Sequence, residues 1–225
     1  PESCNSNNML KLSEDLFDDT HDAKYADFYE KAMLNHILST QDPKTGGYVY
    51  FTPLRPQSYR IYSQVNSDMW CCVGTGMENH SKYGHFIYTH SADNSTLYVN
   101  LFTASTLNSD NFKLEQTTSF PYATTSELTV NTAGTYTIAV RHPAWTTAAY
   151  KVTVNGSDVT GQVVAGTASY VSVKRTWSVG DKVDISFPMQ LTYSTCPDYT
   201  DYVAFNYGPV LLAAQTTSDD TSASD

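Results

Sequence analysis

Basic residues are scarce: 13 Lys and Arg stand against 23 Asp and Glu in 225 residues, a formal net charge of −10. A phosphate backbone is held by clustered Lys and Arg, so this balance argues against nucleic acid as a partner. Long apolar runs are missing too; nothing approaches the ~20 residues that a membrane-spanning helix needs. The chain has no initiator Met and no basic-then-apolar leader. Its first motif belongs inside a domain, so we expect a piece of a longer polypeptide. Cysteine is limited to Cys4, Cys71, Cys72 and Cys196. What is plentiful is tyrosine, 17 residues, alongside many Ser, Thr and Asn. Sugar clefts use such a polar, aromatic surface, although tyrosines also fill ordinary strand faces.

Two kinds of hydrophobic spacing divide the chain. Met9, Leu10, Leu12, Leu16 and Phe17 form an imperfect helical stripe over about 5–19. Tyr25, Phe28, Tyr29, Met33, Leu34, Ile37 and Leu38 form a stronger one over about 23–41, stopped by Pro43, Gly46 and Gly47. A third helix is expected over about 74–89. From Leu97 the period changes to two, at 97–102, 127–130, 136–140, 150–154 and 183–187. Asn155-Gly156 after a strand predicts a tight hairpin. The fold class expected is therefore α+β, with an antiparallel β-sandwich following the helices. The expected domains are 1–92, mainly helical, and 93–215, mainly β, with a polar tail or linker over 216–225. Three helices cannot close a helical core, so an apolar face should be left exposed. It should meet another segment of the same polypeptide or a second copy.

The chemistry-bearing feature is Glu2-Ser3-Cys4 together with Cys71-Cys72. Thiolates are soft ligands that Zn²⁺ favours, and three thiols with a carboxylate fill a tetrahedral shell. Adjacent cysteines make a poor disulfide with each other, yet both can reach one metal. From spacing alone, a disulfide from Cys4 to Cys71 or Cys72 is as open as a metal. Val73-Gly74-Thr75-Gly76 after the pair reads as the start of a helix, and a helix N-terminus also makes a thiolate more available as a nucleophile. Cys196, far along the chain, is expected to be a buried free thiol. Glu78, Asn79 and His80 are expected to orient ligands or cap the helix. His36, His85 and His90 show no metal spacing among themselves.

The segments 2–12, 29–38 and 70–84, continued by Leu97–Phe102, His142–Trp145, Val154–Gly156 and Tyr207–Ala214, resemble the β-L-arabinofuranosidases of glycoside hydrolase families 127 and 146. The resemblance covers nearly the whole chain. It implies that the helices are the C-terminal part of an (α/α)6 barrel whose other helices precede Pro1. It implies zinc held by Glu2, Cys4, Cys71 and Cys72, with Cys71 also the catalytic nucleophile. It implies substrate contacts from Glu30 and Tyr50; a surface ion pair for Glu30 and a core aromatic role for Tyr50 stay open. A purely structural zinc also stays open. The acid/base glutamate of the pattern falls before Pro1, so this chain alone is expected to turn over little. The implied partner is an arabinose-containing oligosaccharide or glycan. The implied activity is retaining hydrolysis of terminal β-L-arabinofuranose from plant-type glycans, in an extracytoplasmic (periplasmic or secreted) setting. A related glycosidase acting on another sugar, or a non-catalytic carbohydrate-binding β-sandwich module, are the alternatives.

Overall fold

A computed structural model describes residues 1–53, 58–162 and 170–214. The polar tail expected over 216–225 lies outside them. Helix α1 spans Ser3–Thr20 and α2 spans Ala23–Asn35. His21 ends α1 in the left-handed region, its N–H bonded to the Phe17 carbonyl. Asp22 then caps α2 by accepting from Lys24 N–H. The α1 stripe differs from the apolar one anticipated. Its buried face is Ser3, Asn7, Leu10, Ser13 and Phe17, while Met9 and Leu12 are exposed. Small polar side chains let α1 approach its neighbours closely at three of those five positions.

Helix α2 stops earlier than its apolar stripe suggests. The regular α-helix ends before His36, and Ile37–Thr40 continue as a 3₁₀ turn closed by the Thr40 hydroxyl on the Ile37 carbonyl. Helix α3 covers Cys71–Asn79, beginning at the Cys pair instead of after it. Beyond Asn79 the chain proceeds in turns, so the expected run to residue 89 is not helical. Phe86 and Ile87 are still buried, packed from irregular backbone.

The strands are β1 (Tyr88–His90), β2 (Thr96–Val99), β3 (Ser105–Asn108), β4 (Lys113–Thr118), β5 (Thr125–Val130), β6 (Gly134–Arg141), β7 (Lys151–Val154), β8 (Ser157–Asp158), β9 (Tyr170–Trp177), β10 (Lys182–Ser186), β11 (Leu191–Thr195), β12 (Val203–Tyr207) and β13 (Val210–Leu211). No α-helix occurs between residues 120 and 190 among the described residues. The order β3-β4-β5-β10-β7-β8 is antiparallel throughout. The order β1-β2-β6-β9 departs from the all-antiparallel expectation, because β2 and β6 run parallel. Asn155 and Gly156, both with positive φ, make the β7–β8 turn as their sequence predicts.

Alternation within the four-stranded sheet builds two cores at once. Leu97, Val99, Ile138, Val140 and Val171 join Leu128, Val152 and Ile185 of the six-stranded sheet. The residues between them, Tyr98, Ala139 and Tyr170, pack with Phe17, Tyr29 and Phe86 of the helical part. The four-stranded sheet is thus a middle layer, which is why β2 is buried at every position. The third sheet, β11-β12-β13, is held to α2 by the Asn35 amide. Its Nδ2 donates to the Pro209 carbonyl and its Oδ1 accepts from Leu211 N–H, both at 2.8 Å. Cys196, just after β11, is exposed and free, which corrects the expected buried thiol. Among the described residues no layer covers β11, where every residue is exposed.

Candidate metal centre

Two helix N-termini and one extended segment meet at the cysteines. Glu2 is extended and pairs with Phe51 in an antiparallel bridge, reinforced by Thr52 N–H on the Pro1 carbonyl at 2.9 Å. The helix that follows puts Cys4 in the first turn of α1. Trp70 is also extended, and Cys71 and Cys72 open α3. Glu78 ties the two helices together, accepting Lys11 Nζ at 2.5 Å and Asn7 Nδ2 at 3.4 Å. Orientation of Cys4 against Cys71 follows from that pairing of α1 with α3.

Close backbone approach completes the support. A Cβ on Gly76 would stand 2.4 Å from the Tyr48 ring, and one on Gly47 would stand 2.2 Å from the Ser63 carbonyl oxygen. Tyr48 also stacks on His80, whose Nδ1 bonds the Tyr83 hydroxyl. Gly76→Ala should therefore destabilise the chain by about 1–3 kcal/mol through overpacking, despite the better helix propensity of alanine. Urea denaturation reads the change. An unchanged or higher midpoint would show that Tyr48 moves aside freely.

The donor atoms of Glu2, Cys4, Cys71 and Cys72 all lie within 4.8 Å of one another. Cys4 and Cys71 Sγ are 3.6 Å apart, Cys71 and Cys72 Sγ 3.9 Å, and Cys4 Sγ donates to Glu2 Oε2 at 3.4 Å. A disulfide needs sulfurs about 2.05 Å apart, and all four cysteines are free. Ligands at ~2.3 Å from a tetrahedral centre stand about 3.8 Å from each other, so the sulfur spacing suits zinc. The donor set, three thiols and a carboxylate, is equally apt. Cys72 is fully buried and its thiol faces the Tyr50 carbonyl, whereas Cys71 is exposed. Cys71 is therefore the sulfur that a solvent-borne molecule reaches.

The protonation balance singles out the same sulfur. The Tyr50 hydroxyl, with Cys4 helping, holds the Cys71 thiol below the usual thiol range. Burial, then bonds to Cys71 and Glu2, push Cys4 up to about 12. Tyr50 itself is pushed up to about 12, chiefly by its bond to Cys71. Tyr50 thus stands against the exposed sulfur, its ring edge-on to Trp70.

Glu30 is not in the surface ion pair that its neighbouring lysine suggested. It is neither at this cluster nor a surface residue but is almost fully buried. One carboxylate oxygen accepts from Arg141 Nη2 at 2.5 Å and the other from Trp145 Nε1 at 2.6 Å. Both oxygens are engaged by these donors, so Glu30 clamps α2 to β6. Arg141 also donates to Asp27 and, at 2.6 Å through Nε, to the Asn100 carbonyl. Reading the sequence missed Arg141. The available signal was a lone arginine closing the apolar run Ile138-Ala139-Val140, four residues before the tryptophan of the His142–Trp145 motif. Among the other candidates, Glu78 bridges helices, and Asn79 is buried with no side-chain hydrogen-bond partner among the described residues. His85 pairs with Glu14 at 2.9 Å, His36 Nδ1 meets the Ser6 hydroxyl at 2.8 Å, and His90 is exposed.

Comparison with known proteins agrees with this architecture. Residues 1–85 match the family model described as β-L-arabinofuranosidase, GH127 catalytic domain. Residues 96–189 match the one described as β-L-arabinofuranosidase, GH127 middle domain. A non-reducing end β-L-arabinofuranosidase of Bifidobacterium longum subsp. longum is 23% identical over 232 residues, covering 95% of this chain and 35% of its own length. The crystal structure of a GH127 β-L-arabinofuranosidase from Geobacillus stearothermophilus T6 superposes with TM-score 0.78 and 25% identity, covering 93% of this chain and 36% of that one. Another structure, described as a glycoside hydrolase, gives 0.81 and 26% over 93% of this chain and 37% of its own. These matches place the chain among the glycoside hydrolases. Within them it belongs to family 127, the β-L-arabinofuranosidase family. It spans about a third of the length of the relatives it matches.

Proposed function

We propose that this chain carries the zinc-and-nucleophile half of the active site of a retaining glycoside hydrolase that releases terminal β-L-arabinofuranose. The observation that carries the reading is the convergence of Glu2, Cys4, Cys71 and Cys72, with Cys71 the most exposed of the three cysteines in the cluster. Zinc held by these four residues would keep the coordinated sulfurs ionised near neutral pH. The Cys71 sulfur attacks the anomeric carbon; the C–O bond to the aglycone breaks, and its oxygen takes a proton from a general acid. Water then displaces the sulfur with a second inversion, returning its proton to the same carboxylate, so configuration is retained. Tyr50 is positioned to orient the Cys71 sulfur through its hydroxyl.

Among the described residues no carboxylate other than Glu2 joins the cluster. The general acid is proposed to be the glutamate that the family pattern puts before Glu2. In the same reading, residues 1–92 are the last helices of an (α/α)6 barrel and 93–215 a β-sandwich. Exposure of Met9, Leu12, Phe28, Leu38 and Met77 supports a helical part that packs on further polypeptide.

Metal analysis of the purified chain tests the first half of this reading. About one zinc per chain is expected. Cys72→Ser should lower zinc retention 10- to 100-fold or more, since this sulfur is buried at the centre of the site. Equal zinc content in the wild type and Cys72→Ser would remove the four-residue site.

A further inference from the structure

Three sulfurs that can share a metal can also oxidise one another when the metal is away, and geometry decides which two. All three cysteines of the cluster are free. Cys71 and Cys72 Sγ lie 3.9 Å apart. Consecutive Cα atoms across a trans peptide stand about 3.8 Å apart, short of the ~4.4 Å that a relaxed disulfide needs. Both residues also belong to α3, so closing that pair would break the first turn of the helix. Cys4 and Cys71 meet no such obstacle. They come from different helices, 67 residues apart in sequence, and their sulfurs already stand at 3.6 Å. A bond of about 2.05 Å requires each sulfur to move by under ~1 Å, within reach of small χ1 rotations.

Accessibility sets the order of events. Cys71 is exposed, Cys4 is half-buried, and Cys72 is fully buried with its thiol on the Tyr50 carbonyl at 3.5 Å. A dissolved oxidant therefore meets Cys71 first. A low-molecular-weight disulfide is the class of reagent that fits, since exchange with it needs only one open sulfur. The Cys71 thiolate displaces one half of the reagent as a thiolate and keeps the other half as a mixed disulfide. Cys4 Sγ then attacks the Cys71 sulfur and expels the second half. The Cys4 proton passes to that leaving thiolate by way of Glu2 Oε2, which the thiol already faces at 3.4 Å. The first thiolate takes up the proton that Cys71 gave to solvent. Two electrons thus pass from the Cys4 and Cys71 sulfurs to the small disulfide, which becomes two thiols.

The geometry points to a redox switch in this cluster: without metal, a small-molecule disulfide closes Cys4 and Cys71 into a disulfide that a dithiol reopens. The oxidised state keeps only Glu2 and Cys72 as donors, too few for a zinc shell. It also removes the exposed sulfur proposed above as the nucleophile. Calling it an inactive state rests on that reading, whereas the cross-link itself does not. Coordinated sulfurs have their lone pairs committed to the metal, so zinc and oxidation exclude each other.

Mass spectrometry of the 225-residue chain tests the switch, after reduction, metal removal with a chelator and exposure to oxidised glutathione. The intact mass should fall by about 2 Da, and dithiothreitol should restore it. Trypsin without reduction should then yield residues 1–11 linked to residues 61–82, the peptides that carry Cys4 and the Cys71-Cys72 pair. Cys72→Ser should keep that link and Cys71→Ser should lose it. Cys4→Ser should stop at one glutathione on Cys71. The folded chain should cross-link at least about tenfold faster than the same chain unfolded in urea, because folding holds the two sulfurs together. Zinc added before the oxidant should slow the cross-link at least about tenfold. A mixed disulfide that persists in the unaltered chain, or a link that needs Cys72 or Cys196 in place of Cys71, would overturn the switch. So would equal rates in the folded and unfolded chain, or full-speed cross-linking of the zinc-loaded chain. Zinc content of the reduced chain is measured separately, so a failed metal site and a failed cross-link are told apart.

Discussion

Cys71→Ser is expected to lower turnover of an aryl β-L-arabinofuranoside by about 10³-fold or more, measured in a longer polypeptide that includes the acid/base glutamate proposed above. The expectation rests on the exposure of Cys71 and on its sulfur being favoured as a thiolate by Tyr50. A serine hydroxyl in the same place keeps its proton near neutral pH and is a far poorer nucleophile. Cys72→Ser should instead act through metal loss, so added zinc should partly restore it and should not restore Cys71→Ser. A mechanism-based arabinofuranosyl reagent should add one sugar mass to the peptide carrying Trp70, Cys71 and Cys72, and fragmentation should assign it to Cys71. Full activity in Cys71→Ser would leave the zinc structural and the nucleophile elsewhere.

The largest stability effect is expected at Arg141→Met, about 3–5 kcal/mol by urea denaturation. Arg141 and Glu30 are both almost completely buried, and Asp27 shares the guanidinium. Burial pushes the Glu30 carboxyl up, while Arg141 and the Trp145 N–H pull it back toward the ionised form. Removing the guanidinium leaves Glu30 with one donor in an apolar layer, so it must take up a proton or stay charged at high cost. Glu30→Gln with Arg141→Met should recover part of the loss, because no unpaired charge remains. A cost below about 1 kcal/mol for the single change would mean that water reaches the clamp. Because Glu30 and Asp27 lie on α2 and Arg141 on β6, the clamp also fixes the helices that carry Cys4 to the sheet layer. Glu30 is thus committed to holding two layers together.

Local patterns carried much of this protein. The change of hydrophobic spacing near Leu97 separated helical from β structure, since side-chain direction repeats every 3.6 residues in one and every two in the other. Asn155-Gly156 specified its turn because both residues tolerate positive φ. The four candidate donor residues were visible because Glu2 and Cys4 are two residues apart and Cys71 and Cys72 are adjacent. Their meeting was not readable from spacing, as it depends on α1 packing on α3 and on Glu2 pairing with Phe51, contacts between segments some fifty to seventy residues apart. The shortened α2 and α3 were decided by packing too: Phe86 and Ile87 find the core from turns, which periodicity reads as helix. The burial of Glu30 was not legible for the same reason. A helical glutamate beside a lysine looks solvated in sequence, and only the layer that brings Arg141 and Trp145 against it makes burial tolerable. Sequence alone therefore determined which residue types and periods were present. Tertiary structure decided which side chains share one environment, because burial and distant pairing depend on the whole packed chain.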